Sequence, residues 1–148
     1  MFHRANPWQS YRQVSAQTAS PGQLVLLLYD GAIRFLEQAR LGFSKEDPKE
    51  FNETINNNIQ RAQAIIAEMD QALNLEEGGE FAATMRRLYL YMDTRLQESN
   101  VRKSEAGLLD VIKRLTVLRD AWAEMLRSGG GQEATAGPVS SSQLSPSP

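Results

Sequence analysis

The sequence predicts an all-α protein, an antiparallel up-down four-helix bundle with an N-terminal arm or short extra helix and a disordered C-terminal tail. Three observations carry that prediction. Four stretches of about 20 residues repeat apolar positions at intervals of three and four, the spacing that lines one face of an α-helix. Serine, aspartate and proline stand where three of those stretches begin, and glycine marks several of their ends. No strand pattern, internal repeat or long strict heptad competes with them.

Residues 1–19 are polar with scattered aromatics at Phe2, Trp8 and Tyr11. They hold no sustained helical period and are read as an arm. Ser20-Pro21-Gly22-Gln23 then carries a helix start: the serine hydroxyl can accept from a first-turn N–H, proline suits the first helical position, and Gln23 can complete a capping box. The first helix should run from Pro21 to about Phe43. Asp47-Pro48-Lys49-Glu50 repeats that grammar for the second. There Phe51, Ile55, Ile59, Ala62, Ile66, Met69 and Leu73 fall in one stripe, and the asparagines 52 and 56–58 with Gln60 make the rest of its first half a solvated surface.

Gly78-Gly79 disfavours helix, so the chain is expected to turn after Leu75 and restart near Glu80. The third helix carries Phe81, Met85, Leu88, Met92 and Leu96 at helical spacing, with Tyr89 and Tyr91 flanking, and should end near Asn100. Ser104 is a cap for the fourth, whose stripe is Leu108, Val111, Ile112, Leu115, Leu118, Trp122 and Met125. Arg127 complements the dipole of its last turn, and Gly129-Gly130-Gly131 stops it. From Ser128 onward there is almost nothing to bury. The expected organisation is therefore an arm at 1–19, a bundle at 20–127 and a tail at 128–148, with short connections favouring antiparallel neighbours.

Composition excludes most chemistry. The 148 residues contain no cysteine, which removes disulfides, thiolate catalysis and thiolate-bound zinc and fits a reducing, cytoplasmic compartment. The one histidine, His3, lies in the arm, so one chain can assemble neither a His-containing triad nor a two-histidine metal site. Phosphate-cradling glycine loops are missing. Sixteen Lys and Arg against 18 Asp and Glu leave a net charge of −2, which gives no pull toward nucleic acid or anionic lipid. The longest apolar run, Leu24 to Tyr29, cannot span a bilayer, and no secretory signal is expected. The reading is a binding protein with no cofactor, no metal site and no catalytic residue.

The first helix carries more apolar surface than one neighbour can cover. At about 100° per residue its apolar positions fill an arc of roughly 200°, against little more than ~100° for a single bundle-facing stripe. The arm, a second copy of the chain or an amphipathic segment of another protein could cover the excess, and so could a central position in the bundle. Leu26, Tyr29 and Ile33 at the edge of that arc, with Val117 and Ala121 beside the stripe of the fourth helix, are the candidate walls of a partner-binding groove. Trp8 and Tyr11 on the arm are expected to pack near it. Ordinary core packing is the competing reading of each helical position.

Asn6-Pro7-Trp8-Gln9-Ser10-Tyr11, then Thr18-Ala19-Ser20-Pro21, then the run from Gln23 through Tyr29-Asp30-Gly31-Ala32 to Leu36 resemble the start of the FliS family of flagellar secretion chaperones. Leu88 to Met92 with Arg95-Leu96, and Leu118-Arg119-Asp120-Ala121-Trp122, fall where that family carries its later helix signatures. The resemblance covers about residues 6 to 127. Trp8 stands where tyrosine is common, and the tail is longer than the family core requires. The resemblance implies a cytoplasmic chaperone that binds the C-terminal helical region of flagellin, prevents premature polymerisation and assists delivery to the flagellar export apparatus, with export-gate components as further partners and self-association left open. The alternative is another helical adaptor or regulator that binds an amphipathic peptide through the same groove.

Overall fold

The computed structural model describes residues 20–73 and 75–129, and these form four helices: α1 (Pro21–Gly42), α2 (Pro48–Gln71), α3 (Leu75–Arg102) and α4 (Glu105–Arg127). Each helix packs on two neighbours in a ring, α1 on α2 and α4, and α3 on α2 and α4. That is the up-down bundle the spacing predicts. No strand occurs among the described residues. The arm, nearly all of the tail and His3 lie outside them.

The caps form where side chains can reach orphan amides. At α1 both halves of the capping box are present: Gln23 N donates to Ser20 Oγ at 3.2 Å, and Ser20 N donates to Gln23 Oε1 at 3.4 Å. At α2 only the forward half forms, from Glu50 N to Asp47 Oδ2 at 3.0 Å. At α4, Ser104 accepts from Ala106 N at 3.4 Å.

Two expectations about α3 are corrected. The turn comes later than expected, because helix already begins at Leu75; Gly79, with φ 57° and ψ −134°, a conformation open essentially to glycine alone, then breaks direction, and the long helix restarts at Glu80 as expected. One residue absorbs the change of course, so no loop is needed. Tyr89 is not a flanking residue either. The buried stripe runs Ala82, Met85, Tyr89, Met92, Leu96, with Phe81 and Leu88 half-buried beside it. Burial of Tyr89 is possible because its hydroxyl has a partner, the hydroxyl of Tyr29, at 2.9 Å.

The core forms where the four stripes meet, with Leu36, Ile55, Ile59, Ile65, Met92, Leu96, Leu108 and Leu115 at 1% exposure or less. α1 packs on α2 and α4 and buries Ala32, Leu36 and Ala39 completely, which covers part of its wide apolar arc. Leu24 to Leu27 remain half-buried at its start. The asparagine-rich half of α2 is mostly exposed as expected, but Asn56 accepts from the buried Asn100 at 2.8 Å and so ties α2 to the end of α3.

At that same end α3 and α4 approach closely. A Cβ on Gly107 would sit 2.6 Å from Ser99 Oγ and 2.7 Å from the carbonyl oxygen of Arg95, and Ser99 Oγ is itself buried with no hydrogen-bond partner. Gly107→Ala should therefore cost about 1–3 kcal/mol of stability, whereas Ser99→Ala, which removes an unsatisfied hydroxyl, should gain about 1 kcal/mol. In the double variant Ser99→Ala should recover only part of the loss, since the Arg95 carbonyl cannot turn aside. Urea denaturation of the three variants measures all of this.

Candidate functional site

At the end of the bundle where α1 and α3 begin and α2 and α4 finish, the helices leave a cleft of about 460 Å³. α1 contributes Val25, Leu28 and Tyr29, and α2 contributes Met69 from its last turn. From α3, just past the Gly79 break, come Phe81, Met85 and Tyr89. α4 completes the wall with Leu118, Ala121, Trp122 and Met125, and Glu124 stands exposed at the edge. Three methionines and four aromatic rings in one concavity make a surface that is large, apolar and able to repack around different shapes.

The polar groups in this wall are turned toward the protein. Trp122 Nε1 donates to the carbonyl of Gly22 at 2.7 Å, which ties the end of α4 to the first turn of α1. Trp122 packs there on Val25, Leu26, Phe81, Met125 and Leu126. Burial raises both tyrosine hydroxyls above their ordinary range. For Tyr29 the bond to Tyr89 opposes the shift, while Tyr89 is raised further by Tyr29 and by the charge of Asp70. Both remain neutral hydroxyls at physiological pH.

The Tyr29-Asp30-Gly31 step acquires a physical meaning here. Tyr29 turns inward to the cleft, and the next residue turns to α4, where Arg119 Nε donates to Asp30 Oδ1 at 2.6 Å. That bond, then the contact with Asp120, raises the Arg119 guanidinium. Asp30 and Arg119 each adjoin a cleft residue, Tyr29 and Leu118, so the pair sets the spacing of α1 and α4 beside the opening.

A second, shallower cleft of about 350 Å³ lies between α3 and α4, lined by Leu88, Asp110, Lys113, Arg114, Val117 and Leu118. Leu118 is common to both. Asp110 is a hub there: it accepts from Tyr91 at 2.7 Å, from Arg95 at 3.2 Å and from Arg114 at 3.0 Å, and the Arg114 guanidinium lies 4.7 Å from the Tyr91 ring centroid.

Of the sequence-predicted site residues, Tyr29 and Ala121 line the main cleft. Leu26 backs its wall against Trp122, Val117 lines the second cleft at 61% exposure, and Ile33 packs against the core. Trp8 and Tyr11 lie outside the described residues. Sequence reasoning missed Met69, Phe81, Met85 and Trp122 as site residues because all fit their core stripes, and Tyr89 because it was read as flanking its stripe. Their one signal was position, with Met69, Phe81 and Met85 clustered on either side of the Gly78-Gly79 break.

Among the described residues no cluster of His, Cys, Asp or Glu could hold a metal, and no helix is long and apolar enough to cross a membrane. Fold and site together define a helical binding module, built around an apolar cleft. Comparison with known proteins then gives the family. The profile described as flagellar protein FliS matches residues 4–129. The chain is 36% identical over 123 residues to the flagellar secretion chaperone FliS of Bacillus subtilis, covering 83% of this chain and 88% of that protein. It is 31% identical to the Salmonella typhimurium protein of the same name, over 90% and 99% of the two chains, and 34% identical to flagellar secretion chaperone FliSB of Pseudomonas aeruginosa, over 77% and 90%. The chain belongs to the FliS family, whose members are chaperones rather than enzymes.

The second cleft makes a prediction about pH. The Tyr91 hydroxyl first, and then Arg95 and Arg114, hold the Asp110 carboxyl below its ordinary range against an opposing burial effect. A carboxyl lowered by folding adds stability above its unfolded value, and that stability is lost as the pH falls below about 4 through the folded value. Asp110→Asn should thus be less stable than the wild type at pH 7, with the difference shrinking toward pH 3. Urea midpoints at pH 7, 5 and 3 test it.

Proposed function

We propose that this chain is a flagellin-specific export chaperone that holds the C-terminal helical region of flagellin against the cleft at the end of the bundle, in the bacterial cytoplasm, and hands it to the flagellar export apparatus. The observation that carries the reading is the cleft itself. It is apolar and adaptable, it lies in a chain of the FliS family, and its relatives are named flagellar secretion chaperones. A subunit that polymerises through amphipathic terminal helices is kept monomeric if its apolar stripe is buried elsewhere.

Such protection works by mass action. Binding the monomer alone lowers the free concentration available for polymerisation, with no nucleotide required. Release then requires a competitor, and components of the export gate are the proposed one. The bundle at 20–127 carries the activity in this reading, and the arm at 1–19 adjusts access to the cleft.

Ala121 is the residue to change, because it lines the cleft and is exposed, so the fold can accept a charge there. Ala121→Glu should leave the thermal midpoint nearly unchanged and weaken binding of flagellin monomer at least tenfold, since an unpaired carboxylate would be buried by the occupant. Val117→Asp, on the second cleft, should weaken it less. Size-exclusion chromatography with light scattering, followed by calorimetric titration, measures both. Flagellin lacking its C-terminal segment should fail to bind, and equal binding by the truncated subunit would show the reading to be wrong. Deleting residues 1–17 should preserve cooperative unfolding while changing the affinity, which the same titration reads.

A further inference from the structure

The floor of the cleft carries an incomplete hydrogen-bond count. Tyr29 and Tyr89 line it at 5% and 3% exposure and meet hydroxyl to hydroxyl at 2.9 Å. One bond between two hydroxyls uses one hydrogen and one lone pair. Whichever tyrosine accepts keeps its own hydrogen, and among the described residues neither hydroxyl has a second partner. In an open cleft water can meet that hydrogen. An occupant that is wholly apolar would exclude the water and leave a buried donor unpaired.

We propose that the Tyr29–Tyr89 pair is a specificity determinant, selecting an amphipathic helical segment that brings one side-chain acceptor, an Asn, Gln, Ser or Thr oxygen, into an otherwise apolar face. This rests on the docking reading of the cleft and deepens it. Short of its last turn, whose carbonyls are free, a helix uses its own carbonyls internally, so along its length the acceptor is a side chain. The rest of the lining cannot discriminate in this way, since methionine and aromatic walls distinguish poorly among apolar shapes. A buried donor, by contrast, strongly rejects a partner that lacks the matching group.

One rival acceptor lies within the protein. Asp70 Oδ1 is buried without a hydrogen-bond partner, and Asp70 lines with Tyr89 a smaller cleft of about 300 Å³ between α2 and α3. Tyr89 is bonded to Tyr29 and not to Asp70. The pair's second hydrogen thus has no acceptor among the described residues, and the proposal assigns it to the occupant.

The test is calorimetric titration of the full chain, wild type and Tyr29→Phe/Tyr89→Phe, with peptides of the flagellin C-terminal helical segment. In the peptides each Asn, Gln, Ser and Thr is replaced in turn by Leu, Met, Ala and Val respectively. One replacement should weaken binding to the wild type roughly tenfold and cost nothing with the double variant. Equal responses of the two proteins at every position overturn the inference while leaving the docking reading intact. If the wild type binds no peptide, the docking reading fails and this inference fails with it.

Two further measurements keep the proposal open to refutation should the double variant not fold. In the wild type the near-ultraviolet tyrosine band should shift to the red with the acceptor-bearing peptide and not with its replaced form; the same spectrum with both overturns the proposal. Strongly non-additive losses of thermal midpoint for Asp70→Ala and Tyr89→Phe would assign the hydrogen to Asp70 and overturn it equally.

Discussion

The width of the apolar arc on α1 is the constraint from which the rest of the bundle follows. A helix with roughly 200° of apolar surface cannot be stable at the edge of a bundle with only one neighbour. α1 meets most of this demand by packing more extensively than any other helix, on α2 and α4, where Ala32 and Ala39 are fully buried, while Leu24 to Leu27 stay half-buried beside the cleft. Once α1 is placed, short connections bring α3 into the remaining gap against α2 and α4, and the ring closes. The Asp30–Arg119 bond and the Trp122–Gly22 bond then fix how α4 lies along α1.

The two ends of the bundle are built differently. At the end where α3 passes into α4, Gly107 admits close contact and Asn56, Asn100 and Lys103 exchange hydrogen bonds, so the helices are drawn together. At the other end Gly79 redirects α3, and large flexible side chains, Met69, Met85 and Met125, face a space they do not fill. Interiors are normally packed to the density of organic crystals, so unfilled apolar volume is costly unless something enters it. One end is closely packed, and the other, among the described residues, leaves the cleft that the proposed partner would fill.

That division suits the proposed task of holding a partner and then letting it go. A cleft built from methionine and aromatic rings gives broad apolar contact without a demanding shape. Such contact alone would hold many amphipathic helices about equally well. Under the proposed reading, selectivity would come from polar groups, and the cleft has few: a tryptophan already bonded to Gly22 and a pair of tyrosines bonded to each other.

How much of this could be read from the residues alone differs from one feature to the next. The helices, their caps at Ser20, Asp47 and Ser104, and the stripes of α2 and α4 were legible because capping and periodicity are local, set by neighbours three or four residues away. The Tyr29-Asp30-Gly31 step and the order of signatures around it were enough to point to the family. Tertiary structure alone decided which residues make the cleft. Met85 and Trp122 carry the same spacing as core residues, and only the arrangement of four helix ends determines which side chains border the cleft left among the described residues. It also separated Val117 from Ala121, one turn apart on α4, and brought Tyr29 to Tyr89 across 60 residues. Local spacing says which way a side chain faces along its own helix; what it meets there depends on where the other helices lie.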